Sequence, residues 1–515
     1  MPRKFVWFLG ITLVVGLVGA VTAVSRHFLS RPPAAAVPAV SVTPLAERET
    51  WSVCRILGER AGYGRVIIRN KVEDGQPVVK VQGLFRLNVP RFGQVAQVEM
   101  GFTDTETPAG VLLDSEYEMR EGPQVLRSTS RVRDGHLEVE VTTRGERHTD
   151  SLPWSADNGG MWAVEGSLLR QPMHPGEHRV INHLSVQNLL VKTDMTARQK
   201  EEDVDLLAGT FRLLRIDAVD QFPGGHSAKG AYWIDSSGEI FKWWTEPMNM
   251  ESFRVPMEVA LATTLGKFDL GLDTLVKLDR PLPHGDDAEQ ARYLVQIKGG
   301  SPLTLFVSSA SQRVRWTRLG ADMAEITVYA IRPGRPGGNP EAQPDPPTDA
   351  DRQPNNFIQS DDAQIVADAQ EAAPDESDPW RVAVALERYV HDKLGHKDLA
   401  QAFVTAADVA RSRQGDCKAH ALYLAALART RGIPARVAVG LVYMPEKQAF
   451  AYHMWTQVYV SDRWIPIDGT LAKGGIGAGH LELAHSNMAG VAAYESFLPV
   501  IEVIGRLQVH LLPAQ

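Results

Sequence analysis

Only two cysteines occur in the 515 residues, and one of them, Cys417, lies in the run RSRQGDCKAHALYLAALARTRGIPAR at 411–436. Gly415 and Asp416 are turn and cap residues, and an apolar helical stretch follows them. That stretch stops at Arg431-Gly432-Ile433-Pro434, where a Gly just past a helix and a Pro beyond it are the expected signals. Cys417 is therefore predicted in the first turn of a helix. The free backbone N–H groups and the positive end of the dipole favour thiolate there, so its pKa is expected to fall. A thiolate nucleophile needs a proton-handling partner, usually His, oriented by a carboxylate or amide.

The sequence offers such a pair. His453 lies on the predicted strand FAYHMWTQVYV (450–460) and Asp468 on RWIPIDGTL (463–471). The connector is Ser461-Asp462, which makes a tight hairpin. With a two-residue loop Val460 faces Arg463, and Asp468 faces Trp455. His453, Trp455 and Asp468 then share one face, because side chains alternate along a strand. His453 and Asp468 become diagonal neighbours, with Cα atoms about 7 to 8 Å apart, within reach of an imidazole–carboxylate bond. Asp468 would hold the ring while its other nitrogen points toward Cys417.

Two other roles compete for Cys417. It could be a small buried hydrophobe, the role assigned here to Cys54. It could also ligate a metal, since Cys417 and His420 have C-x-x-H spacing and His391 and His396 lie upstream. A structural zinc site wants four ligands, commonly with more cysteines, so no metal site and no cofactor are expected. Pairing of Cys54 with Cys417 is open from sequence alone. His480 and His485 fall in KGGIGAGHLELAHSN, a Gly-rich stretch read either as a mobile loop near the site or as an ordinary surface loop. The KWWTEPM cluster (242–248) is read mainly as sheet packing, with a ligand groove as the alternative.

Gly-Asp-Cys at 415–417, Gly-Ile-Pro-Ala-Arg at 432–436, His-x-Trp at 453–455 and Trp-x-Pro-x-Asp at 464–468 together resemble the transglutaminase-like superfamily, and more narrowly the bacterial transglutaminase-like domain proteins. The resemblance covers about 356–515. Asp468-Gly469-Thr470 stands where the family often has Asp-Pro-Thr. The resemblance implies a papain-like α+β fold with a catalytic triad of Cys417, His453 and Asp468. It implies thioester acyl transfer at peptide or protein amides, by a peptidase, amidase or transglutaminase, with an inactive scaffold as the alternative. The Cys417 N–H is the first expected oxyanion donor. Trp380 and Gln414 are candidates for the second. Calcium-binding loops of the animal enzymes are not recognisable.

These residues must be positioned by the elements around them. DDAQIVADAQEAA (361–373) and DPWRVAVALERYVHDKLG (378–395) have helical apolar spacing, with Asp378-Pro379 as cap and first residue. Strands are expected at 437–444, 450–460 and 463–471, a helix within 491–507 and a last strand at 507–513. Upstream, 46–331 reads as a large β-rich antiparallel domain, with two related halves meeting near 170. The mixed segments 193–204 and 252–266 are expected to carry short helices. RPGRPGGNPEAQPDPPTDADRQP (332–354) has no apolar face and is expected to be a disordered or extended linker, bounded at 332–355.

The N-terminus carries Arg3 and Lys4, then an uncharged apolar run from Phe5 to Val24. About 20 such residues can span a bilayer. Residues 1–30 are read as an uncleaved signal anchor, with a cleaved signal peptide ending near Ala23 as the alternative. The Pro/Ala-rich segment 31–45 is a stiff spacer. A single-pass protein of the cell membrane follows, with the bulk of the chain extracytoplasmic, in the periplasm. The net charge of −8 and the lack of a basic run argue against a nucleic-acid partner. The expected partners are a peptide or protein substrate and the membrane, through the N-terminal helix. The fold class expected is thus α+β, with the transglutaminase-like core at the C-terminus.

Overall fold

The computed structural model describes residues 45–122, 124–143, 146–185, 190–222, 225–246, 248–262, 266–332, 337–395, 404–489 and 498–513. The expected signal anchor and spacer lie outside the described residues. Among the described residues no helix is long and apolar enough to cross a membrane.

Strands from Arg48–Ile56 to Met250–Val255 form one 16-stranded sheet. The first eight strands make an antiparallel meander from Arg48 to Pro153, and a second meander returns the chain to pair Met250–Val255 against Arg48–Ile56. The short helix Ala163–Arg170 lies between the two meanders in the chain. The stretch 193–204 holds no helix. It lies in the strand Leu190–Ala197 and the start of Glu202–Leu206. Val191, Thr193, Met195 and Ala197 are its buried face, and two of those positions are too small or polar to announce a strand. Among the described residues of 252–266, Met257–Ala260 is helical, and the stretch begins in the strand Met250–Val255.

The strands after Val255 belong elsewhere. Gln290–Ile297, Gln312–Trp316 and Met323–Tyr329 form a four-stranded sheet whose fourth member is the C-terminal strand Leu507–Leu511. Val276–Lys277 joins the sheet that carries His453. The β-rich block therefore divides, and the part after Val255 is woven into the C-terminal part of the chain.

Among the described residues the C-terminal part has the helices Ala363–Ala372, Pro379–Lys393, Ala406–Ser412 and Cys417–Thr430 ahead of or against a five-stranded sheet, and a fifth, Leu498–Val503, in the segment where the sequence led us to expect one. Asp378 caps its helix by accepting from the Arg381 N–H at 2.9 Å, with Pro379 in the first position. Residues 337–355 carry a single 3₁₀ turn, Asp349–Asp351, in otherwise irregular backbone, and are pinned in place. Arg436 pairs with Asp345 at 2.8 Å, accepts company from Trp464 with its guanidinium 4.0 Å from the ring centroid, and so ties this strap to the sheet. Trp464 Nε1 donates to the Asp345 carbonyl, and Arg429 donates to the Gln353 carbonyl. The low apolar content of this segment prevented a core of its own, and polar side chains of the motif helix and strands hold it instead.

Candidate active site

Cys417 is the first residue of the helix Cys417–Thr430. Asp416 caps it, accepting from the Lys418 N–H at 3.0 Å and the Ala419 N–H at 3.3 Å. Gly415 has φ +148°, and a Cβ there would lie 2.1 Å from the Ala419 Cβ, so the turn into the helix requires glycine. The helix ends as expected. Ile433 N–H bonds the Ala428 carbonyl and Gly432 N–H the Arg429 carbonyl, with Gly432 at φ +73°. His420 is buried and bonds its own turn, Nδ1 to the Asp416 carbonyl at 2.7 Å, so it belongs to the helix start.

The hairpin register matches the spacing argument. Val460 pairs with Arg463, and the ladder continues to Thr456 opposite Ile467, so the next pair is Trp455 and Asp468. Ser461 and Asp462 have φ of 54° and 58°, the double positive φ of a type I′ turn, whose twist suits a two-residue hairpin. His453 Nε2 and Asp468 Oδ2 are 2.7 Å apart. Both residues are buried, at 4% and 0% exposure. Gly440 stands opposite His453, and a Cβ on it would press 1.9 Å from the Leu481 carbonyl oxygen and 3.0 Å from the Trp455 ring.

Cys417 meets this pair through the strand backbone. The Met454 N–H, next along the chain from His453, donates toward the Cys417 sulfur. Thr456 Oγ1 also donates to the Ala421 carbonyl, fastening the cysteine helix to the histidine strand.

The electrostatics correct one expectation. Burial, followed by the Asp416 carboxylate, pushes the Cys417 thiol up to about 12, against smaller lowering effects of the Met454 N–H and Lys418. The helix start does not lower it, because the cap carboxylate brings its own negative charge and already occupies two of the free N–H groups. Cys54 is also pushed up to about 12, by burial, and both cysteines are free thiols. Asp468 behaves oppositely. Burial would raise it, but His453 and then His480 hold it well below the usual carboxylate range. It stays ionised.

Three residues not assigned from the sequence complete the site. His480 Nε2 lies 3.3 Å from Asp468 Oδ2. Its segment is a buried strand, His480–Ser486, rather than a loop. Glu387 accepts from the Asp468 N–H at 2.8 Å and the Gly474 N–H at 2.7 Å, and burial pushes its carboxyl up to about 8. Thr470 donates from both its N–H and Oγ1 to Asp468 Oδ1, at 2.8 and 2.7 Å. Glu387 lies on the buried stripe of its helix one residue after Leu386, so a single out-of-place acid was the available signal. Trp380 is partly buried against the core, and Gln414 is exposed. His391 is half-buried near the end of its helix, and His396 lies outside the described residues.

The large sheet reaches this site. Arg91 and Glu121, at the ends of strands Gln76–Arg91 and Leu112–Glu121, are fully buried with a 3.6 Å ion pair. Arg91 acts on Asp416, and both Arg91 and Glu121 act on Lys418, beside the nucleophile candidate. Cys417 is 3% exposed.

His453, Asp468 and His480 also place three donor atoms within 4.8 Å of one another, a spacing a divalent ion would accept. Their hydrogen bonds to one another and those of Thr470 already engage both Asp468 oxygens.

Residues 366–469 match the family model described as the Transglutaminase-like superfamily. No curated protein matches the chain. Among solved structures, a candidate cysteine protease from Cytophaga hutchinsonii is 14% identical, covers 44% of this chain and 81% of its own, with a TM-score of 0.28. A beta-barrel-like protein of a domain of unknown function from Brucella abortus is 11% identical over 41% of this chain and 97% of its own, at a TM-score of 0.30. A candidate protease from Parabacteroides distasonis is 9% identical over 67% of this chain and 64% of its own, at 0.18.

Proposed function

We propose that the chain is a cysteine enzyme that attacks peptide or protein amides by thioester acyl transfer, with Cys417 as nucleophile, His453 as base and acid, and Asp468 as the residue that orients His453. The observation that carries this reading is the His453–Asp468 contact of 2.7 Å on a strand whose next residue, Met454, donates its N–H toward the sulfur of a cysteine that starts a helix. Asp468, held ionised, makes Nε2 the protonated nitrogen of His453. Nδ1 is buried and has no hydrogen-bond partner among the described residues, which leaves it as the base. His453 takes the thiol proton as sulfur attacks the amide carbonyl. The tetrahedral intermediate collapses, the C–N bond breaks, and the amine leaves with that proton. Water or a second amine then displaces sulfur and returns the thiol. The Cys417 N–H is the first oxyanion donor.

The resting site is closed, and the Arg91–Glu121 end of the large sheet is the cover. Opening it exposes Cys417 and lowers its pKa by restoring water. The protein works at the membrane on the outer side, held by its N-terminal segment. An inactive scaffold is the other reading, and a metal at His453, Asp468 and His480 a third. A chloromethyl-ketone or iodoacetamide probe separates them. The enzyme reading requires modification at Cys417 that slows in His453→Ala. Labelling that is equal at Cys54 and indifferent to His453 supports the scaffold. One equivalent of tightly held zinc in the purified protein, lost in His480→Ala, supports the metal.

A further inference from the structure

The large sheet curls round a cavity of about 280 Å³ that has no part in the chemistry above. Register places its walls. Ser52, Cys54 and Arg254 share the inward face with Phe85, Phe102 and Tyr117 on one side. Trp243, Tyr232 and Ala218 continue that face on the other. Large inward-facing side chains normally pack until they are covered. Phe85, Phe102, Tyr232, Phe241 and Trp243 are only half-buried, because their open surface faces the cavity they line.

The helix Ala163–Arg170 closes one side and sends Trp162, Glu165 and Leu169 into the cavity, positions spaced at three and four along one helical face. A carboxylate in the middle of that stripe is out of place for a core. Among the described residues it forms no salt bridge, and Lys242, a cation lining the same cavity, pairs with Glu251 at 2.9 Å. Arg170 pairs with Glu106 at 2.6 Å, Arg179 with Glu177, and the two arginines at the rim, Arg48 and Arg254, both pair with Glu239. Burial, and then the charges of Asp220 and Glu106, push the Glu165 carboxyl up to about 7. Asp220 lines the same cavity, bound to Thr193 Oγ1 at 2.6 Å. The cavity thus offers aromatic faces and an uncompensated acid, the pairing that recognises organic cations through ring quadrupoles and a carboxylate.

We infer that this cavity binds a small organic cation, a quaternary ammonium or protonated amine with an apolar body, with its charge against Glu165 and its body between Trp243, Tyr232 and Phe85. The volume holds about nine groups of water size, which sets the scale of the ligand. Among the described residues this is the apolar-walled cavity with unpaired acid inside it, and the KWWTEPM cluster is the sequence trace of its wall.

The test uses the full chain and two probes of nearly the same shape, benzyltrimethylammonium and its neutral carbon analogue neopentylbenzene. Titration is followed by tryptophan fluorescence and calorimetry. Saturable one-to-one binding of the cation is expected, at least tenfold tighter than the neutral probe. Glu165→Gln should weaken the cation at least tenfold and leave the neutral probe unchanged, and Trp243→Leu should weaken the cation several-fold. Equal binding of the two probes would overturn the proposal in favour of a plain apolar cavity. Binding indifferent to Glu165→Gln, or no saturable binding by the folded wild-type chain, would also overturn it. Failure here leaves the thiol chemistry untouched, since none of these residues is near Cys417 in the proposed mechanism.

Discussion

Reversing the charge of Glu121 tests whether the large sheet governs access to the thiol. With a pKa of about 12, Cys417 is almost entirely thiol at neutral pH. At pH 7.4 its thiolate fraction is lower than that of an ordinary cysteine of pKa 8.5 by roughly 3,000-fold. The resting wild-type chain should therefore react with iodoacetamide on the order of a thousand times more slowly than a free thiol. Glu121→Arg leaves two buried guanidinium groups beside Lys418 with the ion pair gone. Breaking such a buried pair costs about 3–5 kcal/mol, and opening the interface relieves it. That raises the open population by about a hundredfold or more. The assay is the pH dependence of Cys417 alkylation, read by peptide mass spectrometry, with circular dichroism confirming that the variant is folded. Labelling should accelerate by at least tenfold, and its apparent pKa should move down. Adding Arg91→Glu, which restores an opposite-charge pair, should slow it again. Wild-type labelling as fast as a free thiol, or a folded Glu121→Arg variant with an unchanged rate, would refute the cover.

Glu387 gives a prediction with a defined sign. Its folded pKa, about 8, lies above the unfolded value, so the folded state holds the proton longer. That contribution is complete below about pH 4.5 and is lost as pH rises through about 8. Urea midpoints of Glu387→Gln should fall less than wild type over that window, whereas Glu387→Ala should lose about 1–3 kcal/mol at neutral pH by orphaning the Asp468 and Gly474 N–H groups. In the hairpin, Asp462→Gly should stabilise by about 0.5–1 kcal/mol, since φ of 58° costs any other residue. A β-branched Asp462→Val should instead destabilise, which thermal melts will show. His480→Ala should reduce kcat with little change in KM, because His480 shares the Asp468 oxygen that orients His453.

The sequence made the site's frame readable where local rules act alone. Asp416, Gly432 and the Ser461-Asp462 turn each follow from cap or turn chemistry, and the alternation of strand side chains then carried Asp468 to Trp455. Features set by distant packing were hidden. The pKa of Cys417 depends on burial that no local pattern announces, and none announces that the charge of Arg91 will act on Asp416. His480 sits on a short buried strand whose glycine neighbours suggested a loop. Thr193 on an inward face obscured the period of Leu190–Ala197. The strap at 337–355 read as a disordered or extended linker because its partners, Arg429, Arg436 and Trp464, lie far along the chain.

The acyl-enzyme itself gives the most direct test of the central claim. Brief exposure of the full chain, or of its opened Glu121→Arg form, to p-nitrophenyl acetate should add one acetyl group to Cys417, seen by intact mass and peptide mapping. His453→Ala should slow that step by about 10²- to 10⁴-fold, and Asp468→Asn should slow it as well. Acetylation at another residue, or at Cys417 with a rate that neither substitution changes, would contradict the account.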